Sequence, residues 1–458
     1  VFRHGPFWTY RTPIFGPPWE WPLELPLYQW LTAQVTLHLP LDLERAGRAV
    51  SILFYVAAFW PGWIALELCD IAPRHRPVVL AMVWASPLYI FWSRTFMIES
   101  TAMCLSIAYL ALVHRATAPT RRGASIALLI AAALSGALAG AVKITAYAAF
   151  YAAGAALVLV RVRRAGWPGR AVAAALVFAL AAPVLATGAW LAFADYLKRQ
   201  SPLPAEIDFA AEREQRFGSL AERFEARSWY VVPANAILGR TRHTVVGSAA
   251  VFGLALAATF RRRRRCLAAA ACLALYFLPI AIFNRLFVVH VYYAYENGLL
   301  LAVIAGCGIV TCLEAPGLLR WAGVALFAAA LTAMSTNYLS GYFVDQDAGD
   351  LAPMTIAEIT RVHTASDEVM LIYGLNYSPA LPYAAGRRAI MDRKDRSVDD
   401  PAIRLTLDRL AADGGRIGAI VSCGESRRHD AVRDNIRRLG FQELPSHAEP
   451  FCNLFLRR

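Results

Sequence analysis

The sequence predicts a mainly α polytopic membrane protein of about ten transmembrane helices with a small C-terminal α/β domain. Three observations predict it. The chain is 58% hydrophobic and only 17% charged over 458 residues, whereas soluble domains are about 45–50% apolar and about 25% charged. Its Lys and Arg residues fall largely in short stretches between apolar runs. From about residue 345 the apolar runs shorten to strand length.

The formal charge of +13 suits nucleic acid only when the basic residues share one solvated face, and here they are scattered between apolar segments. No P-loop, GxGxxG or CxxC…CxxC pattern stands in a suitable context, so nucleotide-driven chemistry has no support.

In chain order, residues 1–46 form a first loop rich in prolines and aromatics, ending in an amphipathic stretch around WPLELPLYQWL (21–31) that reads as lying on a membrane surface. Apolar segments of roughly spanning length follow at 47–68, 77–92, 100–116, 124–142, 145–160, 171–193, 244–260, 266–283, 290–313 and 319–338, a hydrocarbon core being about 30 Å thick. Several are rich in Ala and Gly, which suits close helix packing in lipid. A charged loop, expected to be partly helical, occupies 195–243.

Orientation follows from the basic residues, which cytoplasmic loops retain. One set of alternate loops holds Arg74 and Arg76; Arg115, Arg121 and Arg122; Arg161, Arg163, Arg164 and Arg170; Arg261 to Arg265; and Arg320. That side is expected to be cytoplasmic, with the Arg261 to Arg265 run a topology anchor facing anionic lipid. The periplasmic side then receives residues 1–46, the turn from Arg94 to Glu99, Lys143, the loop 195–243, Asn284 to His290 and everything after 339.

The tail alternates strand patterns at 368–374, 387–392, 417–423 and 452–458 with helical patterns at 351–364, 399–413 and 427–439, as a small α/β domain does. Cys69, Cys104, Cys266, Cys272, Cys307 and Cys312 lie in or beside apolar segments, where a thiol usually packs as a small hydrophobe. Cys423 and Cys452 each end a predicted strand, and in an oxidising compartment they can form a disulfide.

Ionisable residues at the edge of apolar segments survive when they pair or work. Glu24, Arg94, Glu99, Lys143, Arg285 and His290 are such residues, and the topology puts all six at one membrane face. Carboxylates and cations gathered there suit a reaction in which a base takes a proton from an acceptor hydroxyl while cations stabilise a departing phosphate. Plainer roles compete. Arg94 and Glu99 fit an interfacial ion pair, Lys143 an interface anchor, and His290 a packing histidine. Glu20 and Glu24 fit loop carboxylates, and Tyr292, Tyr293 and Tyr295 an interfacial aromatic belt.

These residues resemble the integral-membrane glycosyltransferases of the GT-C fold, in the bacterial branch related to protein O-mannosyltransferases and lipid A aminoarabinose transferases. LELPLYQWL resembles that group's first periplasmic loop at Glu24, Pro26, Leu27 and Tyr28, with Leu25 where a basic residue is frequent. ERAGRAVS carries Arg48 where the family's next helix begins with Arg, and FWSRTFMIES matches an Arg followed by an acidic residue, here Arg94 and Glu99, where Asp is more usual. GAVKITA matches a small-residue stretch ending in Lys143. HVYYAYENG matches His290, Tyr292 and Tyr293, with Asn297 and Gly298 where prolines are more usual, and YGLNYSPALPYAAGRRAIM resembles the first strand and helix of the attached soluble domain.

The resemblance implies transfer of a hexose or pentose, with inversion, from a polyprenyl-phosphate carrier to a lipid, glycan or protein acceptor at the periplasmic face of the inner membrane. The clustering at one face together with the order of the motifs points to Glu24 and Glu99 as catalytic carboxylates, with Arg94, Lys143, Arg285, His290, Tyr293 and Tyr28 binding substrate; a divalent metal stays open. In the family the principal catalytic Asp lies early in the first periplasmic loop, after a first helix. The sequence starts at Val1, inside what resembles that loop, so the natural chain is expected to begin earlier. A lipid-linked sugar flippase or other transporter predicts ionisable residues at mid-membrane and repeat symmetry. A noncatalytic membrane scaffold is the third reading.

Overall fold

The computed structural model describes residues 11–118, 125–165, 167–208, 210–238, 244–344, 352–444 and 451–457. The chain divides into two compact units: a helical one from Glu24–Leu191 and Arg213–Asp347, and an α/β one from Val1–Leu23, Ala192–Glu212 and Ala348–Arg458. The boundary expected at 344/345 adjoins residues outside the described ones. The α/β unit also takes residues from the first loop and from the 195–243 loop, rather than the tail alone.

In the helical unit and its continuation, six helices are long and apolar enough to cross a membrane: Leu43–Cys69, Ile144–Arg164, Gly169–Lys198, Arg263–Ile282, Ala294–Leu313 and Leu318–Tyr342. The protein is a multi-pass membrane protein. Of the other expected spans, 100–116 is the continuous helix Glu99–Ala116 and 124–142 the helix Ile126–Val142, while two are broken or shortened. The segment 77–92 is two helices, Arg76–Trp84 and Pro87–Trp92, because Pro87 has no N–H to continue the first helix and is suited to start a second. The segment 244–260 is helical only over Ala249–Thr259, begun where the Ser248 hydroxyl accepts the Val251 N–H. The helices Glu99–Ala116 and Ile126–Val142 complete the set that concerns the site.

The helix Ala294–Leu313 is the centre of this unit, its apolar window 94% buried. Small residues let its neighbours close in: a Cβ built on Gly308 would stand 1.8 Å from the Ala255 carbonyl oxygen, so only glycine permits that approach. At the basic end, charges pair rather than merely face lipid. Glu67 meets Arg115 at 2.7 Å, His114 at 3.0 Å and Arg76 at 3.4 Å. Arg265, read from the sequence as part of an exposed anchor, is buried, and its guanidinium donates to Glu314 at 2.6 Å and to Thr311 at 3.2 Å. Arg121 and Arg122 lie outside the described residues.

The α/β unit is a five-stranded sheet in the order β2-β1-β3-β5-β4, with β1 Val369–Tyr373, β2 Arg388–Asp392, β3 Ile417–Cys423, β4 Phe441–Glu443 and β5 Cys452–Arg457. Parallel β1 and β3 are buried along their whole length, which is why they read as unbroken apolar runs. The three-residue β4 went unseen because it carries no such run. Helices Ala352–His363, Pro401–Ala412 and Asp430–Arg438 match the helical patterns. Residues from the first loop extend the sheet, the Ala389 N–H donating to the Pro13 carbonyl at 2.8 Å and the Met391 N–H to that of Ile14 at 3.0 Å. Antiparallel pairing sets Cys423 opposite Cys452, and the two form a disulfide.

Candidate functional site

Three helix ends of the helical unit converge on one buried charged cluster. Glu99 lies in the first turn of Glu99–Ala116, and Glu296 in the first turn of the helix beginning at Ala294. Lys143 is the extended residue, φ −162° and ψ 96°, between Ile126–Val142 and the helix starting at Ile144. The two carboxylates suit their places, because helix N-termini favour anions.

The Lys143 ammonium stands 2.5 Å from Glu99 Oε1 and 3.1 Å from Glu296 Oε1. The Thr145 hydroxyl donates to the same Glu296 oxygen at 2.9 Å. Tyr293 and Tyr292 present ring faces to the ammonium at 4.4 and 5.0 Å. All three charged side chains are at most 8% exposed. Burial works against the charge of Lys143, and Glu99 and Glu296 more than offset it, holding the ammonium well above the ordinary lysine range. The second oxygen of each carboxylate has no hydrogen-bond partner among the described residues. The cluster therefore has acceptor capacity to offer a donor.

The neighbouring turns are stapled. The Ser100 and Tyr295 hydroxyls share a hydrogen bond at 2.9 Å, the Tyr89 hydroxyl donates to the Tyr295 carbonyl at 2.8 Å, and Asn297 Nδ2 donates to the Tyr276 carbonyl at 2.6 Å. Tyr295 is thus fully buried and bonded, not a member of an interfacial belt.

The other sequence-predicted residues take different places. The Leu25 N–H donates to the Ala141 carbonyl at 2.8 Å and its side chain packs on Ala102, Val142 and Ala146. That pins Glu24 to the segment carrying Lys143, and Glu24 lies within electrostatic reach of Tyr293. His290 packs against Tyr292 and Tyr293 at 5.4 and 5.6 Å. Tyr28 is buried, its hydroxyl donating to the Gly47 carbonyl at 2.9 Å and accepting from Ser51 at 3.2 Å. Burial pushes that hydroxyl up to about 12.

Arg94 stacks over Tyr338 at 5.9 Å, two residues after Trp92, whose indole meets Tyr292 at 6.0 Å. Arg285 pairs with Glu222 at 3.2 Å and is 42% exposed, two residues before Phe287, whose ring packs on Tyr293. Arg48 pairs with Glu44 at the surface, and the backbone of Glu20 forms an antiparallel β-bridge with that of Arg11 in the α/β unit. Lys143 and Glu99 are brought into contact, whereas Arg94 and Arg285 are engaged with Tyr338 and Glu222.

Sequence reasoning missed Glu296 and Thr145. The signal was present, since Glu296 is an ionisable residue in the run HVYYAYENGLLLAVIAG and the rule that singled out Glu99 applies to it equally. An apolar cavity of about 510 Å³ lies in the same unit, lined by Trp84, Met103, Ile107, Phe150, Leu299 and Leu300 among others. Met103 and Leu300 each stand four residues after a cluster carboxylate, one helical turn along the same face. Among the described residues no group of three His, Cys, Asp or Glu side chains is placed to hold a metal ion, and the ammonium already fills the space between the two carboxylates.

No protein-family profile and no curated protein matches the chain. Solved structures do. ArnT from Cupriavidus metallidurans in the apo state superposes with a TM-score of 0.63 at 12% identity, covering 99% of this chain and 90% of that one. The same protein bound to undecaprenyl phosphate gives 0.61 at 12% identity, over 98% and 93%. The oligosaccharyltransferase AglB from Archaeoglobus fulgidus, in complex with an inhibitory peptide and a dolichol-phosphate, gives 0.52 at 12% identity, over 98% and 68%. These neighbours are GT-C glycosyltransferases. Identity this low establishes architecture alone, and by that architecture the chain is a membrane protein of the GT-C fold.

Proposed function

We propose that the protein is a glycosyltransferase that moves a sugar from a polyprenyl-phosphate carrier to an acceptor hydroxyl at the periplasmic face of the inner membrane, with inversion. The observation that carries the reading is a buried carboxylate–lysine–carboxylate cluster one helical turn from an apolar cavity. A phosphate-linked lipid has that same division, a charged head next to an apolar chain. Two neighbours of the same fold hold undecaprenyl phosphate and a dolichol-phosphate, which supports a lipid-linked donor.

In this reading the acceptor oxygen attacks the anomeric carbon from the face opposite the phosphate. A carboxylate takes the hydroxyl proton, the carbon–oxygen bond to phosphate breaks, and polyprenyl phosphate leaves. Glu99, one of whose oxygens has no hydrogen-bond partner among the described residues, orients and deprotonates the acceptor, assisted by Glu24. Lys143 has one donor beyond those engaged by the two carboxylates. With Arg94, and with Arg285 once it leaves Glu222, it neutralises the departing phosphate. Tyr28, His290 and Tyr293 contact the substrate in this reading.

The test is turnover in membranes supplied with polyprenyl-phosphate hexose and pentose donors, read as release of polyprenyl phosphate. Glu24→Gln and Arg94→Ala should each abolish release while protein levels stay normal; full activity in both sinks the assignment of the site. Lipid-linked sugar crossing the membrane without release of polyprenyl phosphate marks a transporter instead.

A further inference from the structure

One ammonium serving two buried carboxylates is an expensive arrangement, since each buried ion carries a desolvation penalty of several kcal/mol and a single well-placed partner suffices to offset it. Structure alone asks for Glu99 or Glu296 beside Lys143, not both. Yet Glu296, 1% exposed, sits at the start of the most enclosed of the six spanning helices, and its position is over-determined. The Thr145 hydroxyl and the Lys143 ammonium both bind its Oε1, and the residues on either side, Tyr295 and Asn297, are tied to Ser100 and to the Tyr276 carbonyl.

We infer that Glu296 is a positioning residue for the transfer reaction: with Thr145 it fixes the Lys143 ammonium against one oxygen of Glu99, leaving the other oxygen of Glu99 directed at the acceptor hydroxyl. The inference rests on the glycosyltransferase reading of this site. Lys143 is a long side chain with four rotatable bonds, and a single carboxylate lets it swing. Two anchors from different helices, with aromatic faces at 4.4 and 5.0 Å, leave it one place. The pair Glu99 and Lys143 then keeps its geometry through turnover, which is what a base needs in the transition state rather than in the bound ground state.

The experiment measures kcat and KM for release of polyprenyl phosphate from polyprenyl-phosphate hexose or pentose by the intact membrane protein. Glu296→Gln, which keeps size and the acceptor for Thr145, should lower kcat by about 10- to 100-fold with donor KM changed less than about 2-fold. Thr145→Val should lower kcat by about 3- to 10-fold in the same manner. Lys143→Arg keeps the charge and loses the geometry, so adding Glu296→Gln to it should cost much less than Glu296→Gln costs alone. A kcat for Glu296→Gln within about 2-fold of the parent, or effects of Lys143→Arg and Glu296→Gln that multiply independently, overturns the inference. Glu99→Gln separates the two levels. If it keeps parental turnover, the reading of the site falls; if it loses turnover while Glu296→Gln does not, only the role of Glu296 falls.

Discussion

At the scale of single residues, what matters is who shares a charge. Lys143 is enclosed by Glu99 and Glu296, and truncating one member of a buried ionic group leaves the others uncompensated. Lys143→Met should therefore cost about 3–5 kcal/mol, read as a fall in the thermal unfolding midpoint in detergent, and adding Glu99→Gln and Glu296→Gln should recover much of it. Glu99 and Lys143 were legible in the sequence because charges at apolar edges are rare. Glu296 obeyed the same rule but was hidden by the aromatic run before it. Arg285 shows the converse: its place at the edge of an apolar segment was legible, but its pairing with Glu222, 63 residues away, was not.

A titrating residue of the α/β unit gives a pH prediction. Asp208 accepts the Ala211 N–H at 2.8 Å and pairs with Arg199 at 2.8 Å. The backbone hydrogen bond foremost, and then Arg199 against the opposing effect of burial, hold its carboxyl below the usual range. A depressed folded value means that this stability is fully present above the unfolded value of about 3.9 and is lost as the pH falls from there through the folded value. Unfolding midpoints measured from pH 6 down to about pH 3 should drop less steeply in Asp208→Asn than in the parent.

At the scale of elements, spans were legible as apolar runs and their interruptions were less so. Pro87 marked the break between Arg76–Trp84 and Pro87–Trp92, but an apolar run on both sides masked it. The helix Ala249–Thr259 is short because its N-cap, Ser248, sits inside the apolar stretch. Helix spacing is set by small residues. Gly308→Ala drives a methyl into the Ala255 carbonyl and should destabilise the protein by about 1–3 kcal/mol. Gly253→Ala, in the facing helix, meets nothing within 4 Å among the described residues and should be neutral or slightly stabilising. Thermal unfolding of the two variants side by side checks the difference.

At the scale of the whole molecule, the chain builds a helical unit and an α/β unit that draws on three separate stretches of sequence. The tail's strands and helices were legible because parallel, doubly covered strands must be apolar throughout. The contribution of Pro13 and Ile14 to the sheet edge was not, because two residues in a proline-rich loop carry no strand pattern. The Cys423 to Cys452 bridge closes a loop with a sequence separation of 29, and Cys423→Ala with Cys452→Ala should cost about 3–4 kcal/mol, seen as lower resistance of the α/β unit to denaturant.

The sequence by itself determined that this is a helical membrane protein with an α/β tail, because hydropathy and strand-length apolar runs are local properties of the chain. It also marked two of the three ionisable residues of the buried cluster, Glu99 and Lys143. Only the tertiary structure decided which of them meet. Glu99, Lys143 and Glu296 are separated by 44 and 153 residues, and pairing at that distance is set by how three helix ends converge, which no local pattern records. The apolar cavity one turn away is likewise a product of packing, since its lining residues look in the sequence like any others that face a core.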